Sequence, residues 1–415
     1  MNIVVVNHYA GGPSFGMEFR PYYLAREWMK MNHKVLIVGA TYSHLRAKNP
    51  VVKGDVTFES VDEVNYAWLK TNEYHGNGVK RILSMFYFMF RLYRNLPKIL
   101  EDFHPDVVIA SSTYPVEIFP LHRVARKFGA KLCFELHDLW PLSPMELGGY
   151  SKYHPFIAVM QWAENFACRR SDLVVSILPK TLDHLIEHGM KREKFMYIPN
   201  GIFLDEWKET NEQSPYQTFF DNLKQQGKTI VGYVGGHAIS NALGTLIDAA
   251  EIIQKTDNSF AFVLVGSGVE KDNLRKYAAS KNLTNVHFLD PVMKKYIPST
   301  ISNLDILYLG WTRNPLYRFG ISPNKLMDYM MSAKPIVHSV NAANDFVADS
   351  GCGLSVDAES PEQVATAFQK LSKLTQPQRH EMGQKGKEFV LKNHNYTMLA
   401  TKFADFIKSK INRGN

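Results

Sequence analysis

"KTIVGYVGG", residues 228–236, is the stretch on which the fold turns. Thr229 to Val234 run without a charge, rich in β-branched and aromatic residues, and end on two glycines. Such a run reads as a strand buried on both faces, as the strands of a parallel sheet are. Just before it, "KETNEQSPYQTFFDNLKQQGK" (208–228) is polar and carries no strand signal. Earlier still lie "NIVVVN", "HKVLIVGA", "DVVIAS", "AKLCFEL" and "DLVVSI", all of the same buried-strand type. Helical patterns separate them, near 17–31, 79–96, 115–128, 155–170 and 180–188. After residue 228 the pattern restarts, with "FAFVLVGSG", "NVHFLD", "LDILYLG" and "KPIVHSV" alternating with helices near 241–255, 269–281, 323–333 and 361–373. The spacing predicts an α/β chain of two doubly wound, Rossmann-like domains in series. We expect an N-terminal domain over 1–200, a linker over 201–227, a second domain over 228–380, and bracing helices over 381–415. A cleft between the domains, at the carboxyl ends of the strands, is the expected ligand site.

Bulk numbers agree with this. A chain of 415 residues is too long for one compact core. Hydrophobic content of 45% and charged content of 21% are ordinary for a globular enzyme. Three scattered cysteines without a CxxC argue against a disulfide framework or a zinc site, and fit a reducing cytosol. "MNIVVVN" at the start is already a strand, with no basic leader or cleavage site, and no window reaches membrane-spanning length. The expected location is therefore cytoplasmic. Net charge is +8, spread along the chain without a nucleic-acid module, so phosphorylated substrates or anionic lipid explain it better than nucleic acid.

"FGISPNKLMDYMMSAKPIV" (319–337) reads as a helix start with Ser322 at the N-cap, Pro323 at N1 and Lys325 at N3. A capping box would place Glu or Gln at that last position. A lysine there sits against the positive end of the helix dipole, at a cost of about 0.3–1 kcal/mol unless an anion is near. With Gly320 allowing close approach, the stretch describes an anion seat suited to phosphate. A Lys325–Asp328 pair, one turn apart, is the structural alternative.

These motifs in this order, with "YIPNG" (197–201), "VLVGSG" (263–268) and the opening "NHYAGGPSFGMEFRPYYLAREW" and "ELHDLWPLSP", resemble the retaining glycosyltransferases of family 4, which have the GT-B fold. The resemblance covers almost the whole chain and is nearest the bacterial O-antigen and capsule branch that includes N-acetyl-fucosamine transferases. It departs in two places. The family's Glu-x7-Glu keeps only Asp328 at its second position, with Tyr317, Arg318 and Phe319 where the first would stand. The Arg and Lys usual after the first strand of the second domain are replaced by Gly236 and Asn241. The phosphate charge then falls on Lys325, with Lys294 or Lys295 as further cations.

The resemblance implies site residues. Gly320, Ile321, Ser322, Pro323 and Asn324 would offer backbone groups to the donor diphosphate, Lys325 would neutralise it, and Asp328 would take ribose hydroxyls. Gly235, Gly236 and His237, and Gly266 with Gly268, lie in the two loops expected beside it, where tight structural turns are the alternative. Pro291 and Val292 would meet the base, and main-chain reading leaves uracil and guanine open; Lys294 stays a candidate phosphate cation. In the first domain, Gly11 and Gly12 are further donor candidates, His137 and Asp138 face the reacting sugar, and Glu18 and Arg20 meet the acceptor. Structural readings stand beside these: a strand-end pair for His137 and Asp138, and a solvated helix face for Arg20. The first βα turn is not GxGxxG, and "VLIVGATYSH" (35–44) lacks the acidic residue a NAD ribose needs, which argues against a dehydrogenase.

"VKRILSMFYFMFRLYRNLPKIL" (79–100) places Lys80, Ser84, Tyr87, Arg91 and Arg94 at helical spacing beside an aromatic flank. That suits an interfacial helix on anionic lipid, or a helix packed on the sheet with a wet basic edge. Pro97 is expected to end or kink it. The expected function is retaining, metal-independent transfer of a sugar from a nucleoside-diphosphate donor, UDP-linked, to a hydroxyl of a growing, polyprenyl-linked surface glycan. No cofactor is expected. A non-catalytic nucleotide-sugar-binding component of a glycan assembly complex and a phosphorylase-like enzyme are the alternatives.

Overall fold

The computed structural model describes residues 1–412 apart from 75, 77 and 209–211. The chain divides into two compact units, Met1–Asn200 with Tyr396–Asn415, and Gly201–Asn395. Residues expected to be a linker carry a short 3₁₀ turn (Leu204–Trp207) and a helix (Gln217–Gln225), and both fall within the second unit. The C-terminal segment is two helices. Gln376–Asn393 belongs to the second unit and Tyr396–Ile411 to the first.

The first unit is built on eight strands: β1 (Asn2–Val6), β2 (Lys34–Ala40), β3 (Val56–Val61), β4 (Val64–Leu69), β5 (Val107–Ala110), β6 (Lys131–Leu136), β7 (Leu173–Ser176) and β8 (Phe195–Tyr197). Their order is β3-β4-β2-β1-β5-β6-β7-β8, parallel except for the β3–β4 hairpin. The pattern reading missed β3, β4 and β8. The hairpin sits at the sheet edge and alternates, with Phe58 exposed, so it lacks the continuous apolar run that marks a central parallel strand. The last helix packs on the first: Trp28 Nε1 donates to the Ala400 carbonyl at 2.9 Å, and its ring meets Phe403 edge-on.

The second unit has six parallel strands: β9 (Thr229–Val234), β10 (Phe260–Val265), β11 (Val286–Leu289), β12 (Ile306–Gly310), β13 (Ile336–Ser339) and β14 (Gly353–Val356). The order is β11-β10-β9-β12-β13-β14. Alternate residues of β9 feed opposite cores, because a strand turns successive side chains to opposite faces. Val231 and Tyr233 pack with Leu246 and Phe262, while Ile230 and Val234 pack with Leu326 and Met330. In both sheets the first strand, β1 or β9, lies where the strand order reverses. The loops after these strands are therefore the natural ligand positions of each unit.

The helix Val79–Ile99 runs past Pro97, which lies in its last turn and does not end it. A proline this close to the C-terminus removes one ladder bond, and the helix needs only two residues more. Its expected basic stripe is broken: Ser84 is buried, and Arg91 is paired with Asp55 at 2.8 Å and bonded to the Tyr87 hydroxyl.

Candidate functional site

In the second unit the helix with the lysine begins one residue later than expected. Pro323 is the N-cap with extended ψ, Asn324 is N1 and Lys325 is N2, so Ser322 stands outside the helix. The N-cap is a proline, whose side chain cannot accept a hydrogen bond, so it gives the first-turn amides no cap. Gly320, at φ +94°, takes the chain into the turn before it. Asn344 clamps Ile321 from both sides, accepting from its amide at 2.7 Å and donating to its carbonyl at 3.0 Å. The turn is thus held rigid by a side chain the motif reading did not single out.

Lys325 does not pair with Asp328. Its Nζ donates to the Tyr233 hydroxyl at 2.7 Å and to Asn241 Oδ1 at 2.9 Å, and lies 4.9 Å from the centre of the Tyr233 ring. Among the described residues it has no carboxylate partner. Burial lowers its pKa to about 8, since a desolvated ammonium without a counter-ion releases its proton more readily. Asn241, which stands where a cation was expected, is one of the two oxygens that aim this single charge.

The glycine loops after β9 and β10 zip together. The Gly235 amide donates to Val265 O at 2.9 Å and the His237 amide to Ser267 O at 2.8 Å. A Cβ on Gly266 would lie 1.9 Å from the Gly235 carbonyl oxygen, and one on Gly268 2.3 Å from that of His237. Those two glycines therefore serve the approach of one loop to the other. A Cβ on Gly235 would strike the Lys325 stem at 2.4 Å. Gly236 has open space on its side-chain face, and its carbonyl accepts from Tyr233 and Asn241, both at 2.7 Å.

His237 lies inside the second unit. It is buried against Tyr233 and Phe288, and among the described residues neither ring nitrogen has a hydrogen-bond partner. Burial lowers its pKa to about 4, with Lys271, Lys325 and Arg275 adding to the effect. Lys271 and Arg275, at helical i, i+4 spacing in the helix Lys271–Ser280, are cations that motif reading missed. Lys271 is also bonded to Leu289 O and Asp290 Oδ1. Lys294 and Lys295 are engaged elsewhere, with Glu206 at 2.9 Å and Glu212 at 2.8 Å. Asp328 Oδ1 accepts from Trp207 Nε1 at 3.2 Å, and burial raises its pKa, with Lys294 opposing and Glu206 reinforcing that shift. Val292 packs half-buried on the core beside this segment.

In the first unit the charged groups close on one another. Arg20 is only 4% exposed and lies on no solvated face. Its Nε and Nη2 donate to Glu135 Oε1 at 3.0 and 2.9 Å, and it also reaches the carbonyls of Ile198 and Pro199 at 2.9 and 2.6 Å. Every guanidinium nitrogen is occupied, so Arg20 has no donor left for an acceptor sugar. Burial works against the Glu135 charge, but Arg20, His137 and Ser111 outweigh it and hold the carboxyl far below its usual range. Glu135 Oε2 in turn accepts from Ser111 Oγ at 2.6 Å and faces His137 Nε2 at 3.1 Å. The other ring nitrogen of His137, Nδ1, lies 3.6 Å from Glu18 Oε2. Glu135 was not singled out from the sequence. The available signal was a lone carboxylate inside the buried strand "LCFEL", which demands a partner.

Asp138 braces its own loop. Its Oδ1 accepts from the Leu139 amide and Ser143 Oγ, and its Oδ2 from Trp140 Nε1. The Gly11 and Gly12 amides donate to the carbonyls of Glu18 and Gly16, at 2.8 and 2.9 Å. These glycines thus fold the first βα loop back on itself, which brings Glu18 to His137.

An eight-stranded and a six-stranded Rossmann-like sheet, each with its polar groups gathered beyond the strand ends, define a GT-B glycosyltransferase architecture. Residues 16–206 match the model described as Glycosyltransferase Family 4, and residues 216–411 match that of Glycosyl transferases group 1, so the chain is built of two glycosyltransferase domains. It is similar to the alpha-D-kanosaminyltransferase of Streptomyces kanamyceticus, 23% identical over 65% of this chain and 66% of that protein. It is also similar to the poly(ribitol-phosphate) alpha-N-acetylglucosaminyltransferase of Staphylococcus aureus (strain COL), 24% identical over 76% of this chain and 57% of the other. The chain thus spans less than two thirds of the length of either relative. The crystal structure of Anabaena Alr3699/HepE in complex with UDP and glucose matches with a TM-score of 0.69 at 15% identity, covering 99% of this chain and 100% of that one.

Proposed function

We propose that this protein is a retaining glycosyltransferase that moves a sugar from a UDP-linked donor to a hydroxyl of a growing, lipid-linked surface glycan. One observation carries the reading: a desolvated Lys325 ammonium without a carboxylate, next to a buried His237 whose nitrogens lack partners, beside an uncapped helix start. Such a set is costly until an anion enters, and a nucleoside diphosphate supplies one. The Anabaena protein's UDP supports the choice of base. Both curated relatives are named for alpha-linked transfer, which supports retention.

In the proposed reaction the bond from the sugar's anomeric carbon to the β-phosphate oxygen breaks on the face where the acceptor hydroxyl attacks. The acceptor's proton passes to the leaving phosphate oxygen, and free nucleoside diphosphate departs. Charge grows on that phosphate, so donors already fixed around it lower the barrier. Lys325, His237 and the first-turn amides of the helix Asn324–Met331 fill this role. Asp328 takes the ribose, and the chain near Val292 reads the base. In the first unit, His137, oriented by Glu135 and Ser111, contacts the sugar and acceptor with Glu18.

Among the described residues no helix is long and apolar enough to cross a membrane. For the lipid-linked acceptor we infer peripheral contact through the helix Val79–Ile99. Val79, Leu83 and Phe90 are exposed on it, and Lys80 and Arg94 are exposed cations.

The test is a thermal-shift panel of UDP, GDP, dTDP and their sugars on the full chain, followed by product analysis. A UDP-specific shift with acceptor-dependent release of free UDP is expected. Tight binding without turnover on any acceptor would make the chain a binding component, and release of sugar phosphate would make it a phosphorylase.

A further inference from the structure

The helices Pro155–Arg170 and Leu182–Glu187 carry a cluster that sugar transfer leaves unused. Glu164 comes from the first of them and is 0% exposed. His184 and His188 come from the second helix and its C-cap, four residues apart and so on one face. One donor atom from each of the three side chains falls within 4.8 Å of the others. His184 Nε2 is 2.8 Å from Glu164 Oε1.

The second histidine is the telling one. Its Nδ1 is 2.8 Å from Asn165 Oδ1, an atom that only accepts. Gln161 Nε2 has two hydrogens, and its nearest oxygens are Glu164 Oε2 at 2.8 Å and Asn165 Oδ1 at 3.0 Å. It lies 3.1 Å from His188 Nδ1, but these oxygens take its hydrogens. Asn165 Oδ1 therefore accepts from His188 Nδ1, and the ring's Nε2 faces Glu164 Oε2, 3.9 Å away. A cation seated between that nitrogen and the carboxylate would have both as ligands. Imidazoles that bind metals are oriented in this way, with the far N–H donated to an oxygen. Ligand atoms on a tetrahedral zinc, at about 2.0–2.1 Å from the ion, are separated by roughly 3.3 Å. The three donor atoms here lie within 4.8 Å of one another, so ligation would draw them closer together.

We propose that Glu164, His184 and His188 form a binding site for a divalent transition metal, with zinc the best match to two imidazoles and one carboxylate. Asn165 and Gln161 orient the ligands. The His188 side chain, 25% exposed, marks the entry side, where water completes the coordination. The ion would pin the six-residue helix Leu182–Glu187, too short to be stable alone, to the helix Pro155–Arg170 on either side of β7 in sequence.

The experiment uses the full chain after treatment with a chelator. Cobalt(II) is titrated and its visible d–d absorption followed, then zinc is added in competition, and the melting temperature is read with and without zinc. We expect about one equivalent of cobalt, displaced by zinc, and a melting temperature raised by a few degrees at a hundredfold excess over Kd. Both signals vanish in His188→Ala. Should that variant lose its circular dichroism, His188→Gln keeps the side-chain volume and serves instead. No cobalt band in the wild-type protein would overturn the proposal. An undiminished band in either variant would also overturn it, by showing that the metal sits elsewhere.

Discussion

At the end of β6, Arg20, Glu135, Ser111 and His137 answer one another's charge and hydrogen-bonding needs within 3.1 Å, whereas beyond β9 Lys325 rests on two neutral oxygens and His237 on none. The same kind of sheet end thus holds two opposite arrangements. The first is internally satisfied and resists change: a buried ion pair costs little while whole and a great deal when cut. The second is left unsatisfied by the protein, which is what the proposed diphosphate seat would require.

The largest expected effect breaks the first region. Arg20→Met leaves the Glu135 carboxylate buried without its guanidinium partner, and should cost about 3–5 kcal/mol in urea unfolding. Arg20→Met combined with Glu135→Leu should recover most of that loss. If the single variant were as stable as the parent, the two regions would not differ as described.

Lys325→Ala breaks the second region with the opposite signature. Turnover should fall about 10²–10³-fold, as when one charge-stabilising donor is removed from a transition state. The melting temperature should hold or rise, because a desolvated charge has gone. A turnover loss explained by unfolding would remove the contrast.

His137→Ala should reduce turnover about 10–100-fold, the worth of one hydrogen bond to a charged group, without changing the donor's thermal shift. Glu135→Gln tests how far that depends on orientation, and its kcat should fall with KM unchanged.

The pH profile sharpens the comparison further. Lys325 has its folded-state pKa lowered from 10.5 to about 8. Between these values the unfolded chain holds the proton more firmly, so this lysine's contribution to stability rises with pH across that window. Donor binding runs the other way, because the dianion needs the ammonium. Affinity for UDP should fall up to about tenfold per pH unit above 8, and calorimetry at stepped pH should find that slope absent in Lys325→Met. The smallest effect is expected at the surface. Lys295→Ala removes an exposed pair with Glu212 and should leave melting temperature and turnover as they were.

Sequence alone determined the alternation of strands and helices, the restart at 228, and the clustering of glycines and lysine at strand ends. These follow from local rules of periodicity and backbone freedom, which neighbours in the chain already fix. It also showed Lys325 to be out of place, since a cation in a first turn conflicts with the helix dipole. Tertiary structure decided the partners. Glu135 meets Arg20 across 115 residues and Asn241 meets Lys325 across 84. Neither separation leaves a periodic trace, so Arg20 read equally as a surface residue or an acceptor contact, and Glu135 as one more strand position. Which polar groups are satisfied and which are left for a ligand depends on how distant segments pack, because burial, and not residue type, sets the cost of a charge without a partner.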